Sequence, residues 1–211
     1  HDLSHIRYPQ FHPPNVIEWL ENGLSRSLDR ADCIITVSNL VRHELLDYFD
    51  VPEYKVRTVY EGVEECYRPR TQDQTSSVLS AYGLLHKQYV LLVATLEPRK
   101  GIDVLLDAWC LLPKSLRRAF PLVLTGSSGW RNKPLVDRIA SLVAEGTVHH
   151  LGYVPSDVLP VLFSGAAVFS YPSVYEGFGL PVLDAMSSGV PVICRAGTSM
   201  AEFSQGACML C

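Results

Sequence analysis

The chain has 211 residues, 47% hydrophobic and 19% charged, with a formal net charge of −4. That composition suits a globular protein with one large or two small cores. It disfavours nucleic acid as a partner, because no block of clustered Lys and Arg is present to neutralise a phosphate backbone. No apolar run nears the ~20 residues needed to span a bilayer. No signal peptide is visible either.

Residues 15–30 place Val16, Trp19, Leu20, Gly23, Leu24 and Leu28 at helical spacing. Ala31–Val37 is rich in β-branched residues and predicts a buried strand. Ser38 follows as the N-cap of a helix with Leu40, Val41, Leu45 and Leu46 on its apolar face. Lys55–Tyr60 predicts another strand. Residues 68–77 carry almost no apolar side chain and predict a linker.

The second half alternates more fully. Strands are predicted at 89–95, 121–125, 148–154, 166–171 and 191–194, with helices near 102–112, 135–143, 156–164 and 181–189. Alternating strand and helix gives an α/β fold with parallel, Rossmann-like sheets. No Gly-x-Gly-x-x-Gly follows a strand, which disfavours a nicotinamide enzyme. Cys33, Cys110 and Cys194 lie in apolar runs and read as small buried hydrophobes. Cys208-Met-Leu-Cys211 has redox or zinc spacing but no second pair, and it reads as a strand. This cysteine usage fits a reducing, cytoplasmic compartment, with attachment to a membrane surface left open. His1 in place of Met, and an apolar segment at 207–211, read as the ends of a piece of a longer protein.

Two loops carry the chemistry. After the strand at 166–171, the segment Ser173-Val-Tyr-Glu-Gly-Phe-Gly-Leu-Pro brings Glu176 and the amides of Gly177, Phe178, Gly179 and Leu180 to a helix N-terminus, with Asp184 one turn into the helix. The carboxyl edge of an open sheet is where ligands bind, and helix N-termini favour anions. After the strand at 89–95, Glu97-Pro-Arg-Lys-Gly101 sets Arg99 and Lys100 at another helix N-terminus, against the macrodipole. An anion would resolve that conflict, Arg99 with paired hydrogen bonds and Lys100 as a point charge.

Seven residues separate Glu176 from Asp184. That spacing, with the flanking Glu-Gly-Phe-Gly-Leu-Pro and Gly-Val-Pro-Val, resembles the E-x7-E signature of retaining GT-B glycosyltransferases, the group related to glycogen synthase and bacterial mannosyltransferases. The second acid is here Asp, one methylene shorter than the usual Glu. Glu-Pro-Arg-Lys-Gly resembles the family's diphosphate-binding segment, and His1-Asp2-Leu3 its cleft-bordering histidine segment. Gly152-Tyr153-Val154 resembles the segment whose backbone meets the base. Gly126 and Gly129 lie where a donor loop or an ordinary turn would sit.

The resemblance implies a GT-B fold of two Rossmann-like domains. Residues 1–70 would be the end of the acceptor-side domain, 71–77 the linker and 78–211 the donor-binding domain. It implies transfer of a hexose, mannose by first expectation, from a nucleotide diphosphate sugar to a sugar or lipid-linked acceptor with retention. No metal and no cofactor is expected. Glu176, Arg99, Lys100 and His1 would act at the reacting end. Gly126, Tyr153, Val154, Gly177, Phe178, Gly179, Leu180 and Asp184 would bind the donor. His1 and His5 stand at i,i+4, but no third metal ligand is evident. A nucleotide-sugar-binding module without turnover is the competing expectation. A sugar-nucleotide epimerase shares the architecture, but the spacing of the two acids argues against it.

Overall fold

The computed structural model describes residues 1–127, 129 and 133–211. Ser128, within the glycine loop read from the sequence, lies outside them. The first half contains α1 (Ser4–Arg7), α2 (Pro14–Arg30), β1 (Ile34–Thr36), α3 (Asn39–Tyr48) and β2 (Val56–Thr58). β1 and β2 pair in parallel, and Leu3, Leu28, Leu45 and Val56 form a small core beneath them. Ser38 caps α3 as its sequence predicts, accepting from the Val41 amide at 3.2 Å.

The polarity of residues 68–77 predicts a linker, but Gln72–Ala81 form helix α4. A capping box starts it, with the Thr71 amide donating to Gln74 Oε1 at 3.0 Å. Thr75 and Leu79 are buried, and α4 packs on the later helix α8 (Leu159–Gly165). By packing, this helix belongs to the second half.

That half runs β3 (Val90–Val93), α5 (Ile102–Leu111), α6 (Lys114–Ala119), β4 (Leu122–Thr125), α7 (Lys133–Ala144) and β5 (Val148–Gly152). After α8 come β6 (Val168–Tyr171), α9 (Leu180–Ser187), β7 (Val192–Cys194), α10 (Ser199–Ser204) and β8 (Met209–Leu210). All six strands are parallel, in the order β5-β4-β3-β6-β7-β8. The chain winds outward from β3 to β5 and then returns to the other side of β3 for β6. The order therefore reverses between β3 and β6, and a crevice opens at their carboxyl ends. The central strands β3, β4 and β6 are largely buried on both faces, which explains their apolar runs, whereas the edge strands β5 and β8 carry exposed residues. Cys194 is buried as expected, whereas Cys33 and Cys110 are exposed. Their apolar neighbours sit in short or amphipathic elements, so one flank of each meets water. Among the described residues, no helix is long and apolar enough to cross a membrane.

The two halves are tied by polar contacts. Both carboxylate oxygens of Glu202, on α10, accept from the N-terminus of α3, the Asn39 amide at 2.8 Å and the Leu40 amide at 2.9 Å. Tyr60 donates to the same carboxylate at 2.6 Å. The Tyr175 hydroxyl donates to Glu44 and accepts from the Leu3 amide at 3.1 Å. Tyr175→Phe leaves the buried Leu3 amide without its acceptor and takes one hydrogen bond from Glu44, which keeps Arg7 at 3.1 Å. It is expected to destabilise the chain by about 1–3 kcal/mol, read as a lowered thermal midpoint.

Candidate active site

A cleft of about 530 Å³ lies at the carboxyl ends of β3, β4 and β6, just where the strand order reverses. Two glycine-bearing turns shape it, one at Gly126 and one at Gly177 and Gly179. Gly126 ends β4 with φ +140°, and a Cβ there would fall 2.0 Å from the Ala94 carbonyl oxygen. Only glycine lets the turns after β3 and β4 come this close. Gly177 is pressed in the same way against His1, whose carbonyl oxygen would lie 2.4 Å from an added Cβ. That contact seats the first residues of the chain on the loop that carries Glu176.

Glu176 is 8% exposed and anchors the cleft wall. Its Oε1 accepts from Lys100 Nζ at 2.6 Å, Ser173 Oγ at 2.6 Å and Tyr171 Oη at 3.1 Å. Its Oε2 meets Arg99 at 3.2 Å. Burial alone pushes this carboxyl up. The charges of Lys100 and Arg99, with the hydrogen bonds, outweigh that, and the net shift is downward. The group is therefore an anion at neutral pH. A carboxylate has about four lone-pair sites, so Oε2 retains capacity for a ligand hydroxyl.

The cations divide. Lys100 lines the cleft and lies 5.5 Å from the centre of the Tyr171 ring. Arg99 does not line it. Its guanidinium turns behind the loop to Glu97 at 2.9 Å and to the Tyr175 carbonyl at 2.7 Å, bracing Glu176 from the back. Sequence spacing suggests cations across from an acid; in the structure they touch it.

Gly126, Gly177, Phe178, Gly179, Leu180, Tyr153 and Val154 all line the cleft, as does His1. Tyr153 is 79% exposed at the rim, and Val154 is buried below it. Gly129 does not line the cleft; it packs against Leu96. His1 stands at the mouth with Nδ1 3.4 Å from Glu61. His5 is buried in the wall of a second cavity. Among the described residues, no cluster of three or more His, Cys, Asp or Glu could hold a metal ion.

Asp184 is not among the cleft-lining residues. Burial, and then the charge of Glu64, push its carboxyl from 3.8 up to about 7. An acid raised on folding binds its proton more tightly in the folded state. Stability therefore falls as pH climbs from near 4 through 7, then levels. Asp184→Asn removes that penalty. It is expected to raise the thermal midpoint most at about pH 8 and to leave it unchanged near pH 4. Equal shifts at both would show that the carboxyl is not held protonated.

The sequence gives no direct sign of several residues that the site uses. Ser173 and Tyr171 bond Glu176, and Asp2, Glu61, Thr95 and Thr125 line the cleft. Position offers one signal: Tyr171, Thr95 and Thr125 all stand at or just beyond the carboxyl ends of strands that border the crevice.

A parallel sheet with a crevice at its switch point, walled by a buried acid, a lysine and a glycine loop, is the ligand-binding frame of the doubly wound α/β class. The chain belongs to the glycosyl transferases group 1 family, whose model matches residues 83–205. It is 42% identical over 202 residues to the O-antigen chain mannosyltransferase B of Escherichia coli, across 96% of this chain and 53% of that protein. It is 30% identical over 193 residues to the serotype-specific mannosyltransferase WbdA of E. coli, across 90% of this chain and 23% of that one. The chain thus spans about half, or less, of these relatives. Among solved structures, Anabaena Alr3699/HepE in complex with UDP and glucose superposes with a TM-score of 0.81 at 21% identity, over 100% of this chain and 56% of that one. That likeness bears on the fold.

Proposed function

We propose that the protein transfers a hexose, mannose in the first instance, from a nucleotide diphosphate sugar to a saccharide hydroxyl, with retention of anomeric configuration and without a metal. The reading rests on one contact, Lys100 on Glu176 at the foot of the glycine loop. Breaking a glycosyl–phosphate bond leaves positive charge on the sugar and negative charge on the diphosphate. Lys100 and the amides of Gly177, Phe178 and Gly179 meet the negative charge as it develops. Oε2 of Glu176 orients a sugar hydroxyl. Arg99 holds Glu176 in place from behind. Tyr153 and Val154 border the end of the cleft assigned to the base. The names of the two E. coli mannosyltransferases support the choice of sugar. They also support a polysaccharide acceptor.

The test begins with calorimetry of nucleoside diphosphates against the protein. Labelled nucleotide sugars are then screened for transfer, the product anomer is read by NMR, and the assay is repeated with a chelator. Binding followed by chelator-insensitive transfer with retention is expected. Binding without transfer to any acceptor would favour a non-catalytic nucleotide-sugar module. Absence of any binding would end the reading.

A further inference from the structure

The glycine loop is gripped from behind by two serines that no part of the proposed chemistry uses. Ser199 Oγ, on α10, lies 2.9 Å from the Glu176 carbonyl oxygen and 2.8 Å from that of Phe178, so its single proton is shared between them. Ser38 Oγ donates to the Gly177 carbonyl at 2.7 Å while accepting from the Val41 amide at 3.2 Å. Both serines are fully buried. Three consecutive carbonyls, those of residues 176, 177 and 178, are thereby fixed. Among the described residues no peptide bond is cis. In a trans peptide the C=O and the next N–H point in opposite directions. Fixing those oxygens therefore fixes the N–H groups of Gly177, Phe178 and Gly179, each turned away from the serine that holds its peptide. Among the described residues, none accepts a hydrogen bond from these three amides. All three residues line the cleft at the N-terminus of α9.

We propose that Ser38 and Ser199 are positioning residues that aim the amides of the glycine loop at an anionic ligand, the diphosphate of the donor. The proposal rests on the donor reading above and adds a specific cause for the loop's geometry. A loop with two glycines in three residues does not hold one conformation unaided. The serines supply that restraint, and they come from different halves of the chain. Ser38 is at once the cap of α3 and a clamp on the loop, so the seating of the first half on the second reaches the phosphate site through one hydroxyl.

The experiment titrates the protein and its variants with inorganic diphosphate and with a nucleoside diphosphate, by calorimetry and by the amide resonances of Gly177, Phe178 and Gly179. Ser199→Ala is expected to weaken both ligands about tenfold. Ser38→Thr keeps the donor and the cap and is expected to bind as the parent does. Ser38→Asp keeps the cap acceptor but has no proton for the Gly177 carbonyl, and is expected to bind at least tenfold more weakly. Thermal midpoints are measured alongside, because a serine that merely braces the fold would lower the midpoint and leave affinity alone. Should Ser199→Ala not fold, the Ser38 pair carries the test. Parental affinity in Ser199→Ala or in Ser38→Asp would overturn the positioning role while leaving the donor reading intact. Failure of the parent protein to bind either ligand would overturn both.

Discussion

Glu176→Gln is expected to destabilise the empty protein and to make it more dependent on bound anion. The substitution keeps the shape of the side chain and removes the charge that Lys100 and Arg99 now share. Arg99 retains Glu97, but Lys100 has no other carboxylate within ion-pair distance among the described residues. Breaking a buried pair by neutralising one member costs about 3–5 kcal/mol, because the remaining charge stays desolvated. A diphosphate entering the cleft would restore a counter-charge. Added inorganic diphosphate should therefore raise the thermal midpoint of the variant more than that of the parent. The acid side of the stability profile should change too. The Glu176 carboxyl is held below its ordinary 4.5, so its contribution is present above that pH and is lost as pH falls through the lower folded value. In the variant that component of the acid loss disappears. Equal anion stabilisation in both proteins would mean that Glu176 and the diphosphate do not share Lys100.

Lys100→Met is expected to have the largest effect on ligand binding. Methionine keeps most of the stem that packs by Tyr171 and deletes the ammonium. A hydrogen bond to a charged group contributes about 1.5–3 kcal/mol, so nucleoside diphosphate affinity should fall roughly 10- to 100-fold. Loss of one preorganised donor to developing charge typically lowers turnover about 10²- to 10³-fold. Arg99→Met should behave differently, since Arg99 faces away from the cleft and acts through Glu176. Calorimetry separates the two: the Lys100 variant loses affinity directly, whereas the Arg99 variant loses mainly stability. Unchanged affinity in Lys100→Met would remove the ammonium from the phosphate site.

Much of this arrangement is legible before any coordinates. Runs such as Leu91–Val93 and Leu122–Thr125 are apolar without alternation, which is what a parallel sheet covered on both faces demands. Pro181 near the start of α9 and Gly189 just past its end bracket that helix as their chemistry requires. Ser38 is read correctly as a cap, but its second bond, to a carbonyl 139 residues away, leaves no local trace. Helix α4 is missed because its polarity is weighed above the Thr71-x-x-Gln74 box that starts it. Asp184 shares a helical face with Leu180, yet four residues also carry it about 6 Å along the axis. That rise sets it by Glu64 and Tyr67 rather than in the cleft. Spacing likewise brings Arg99 and Glu176 to neighbouring loops without saying which way the guanidinium turns. Side-chain direction is decided by partners, here Glu97 and the Tyr175 carbonyl, that no spacing rule encodes.

The ties between the halves bear on the order in which the protein matures. Leu3, Ser38, Asn39 and Leu40 are made before the groups that hold them, Tyr175, Gly177 and Glu202, which follow more than a hundred residues later. At roughly 5–20 residues per second, the partners of residues 3–40 follow them by many seconds. Completion of the amide loop and seating of residues 3–40 upon it are then one late event, so newly made chains gain both together.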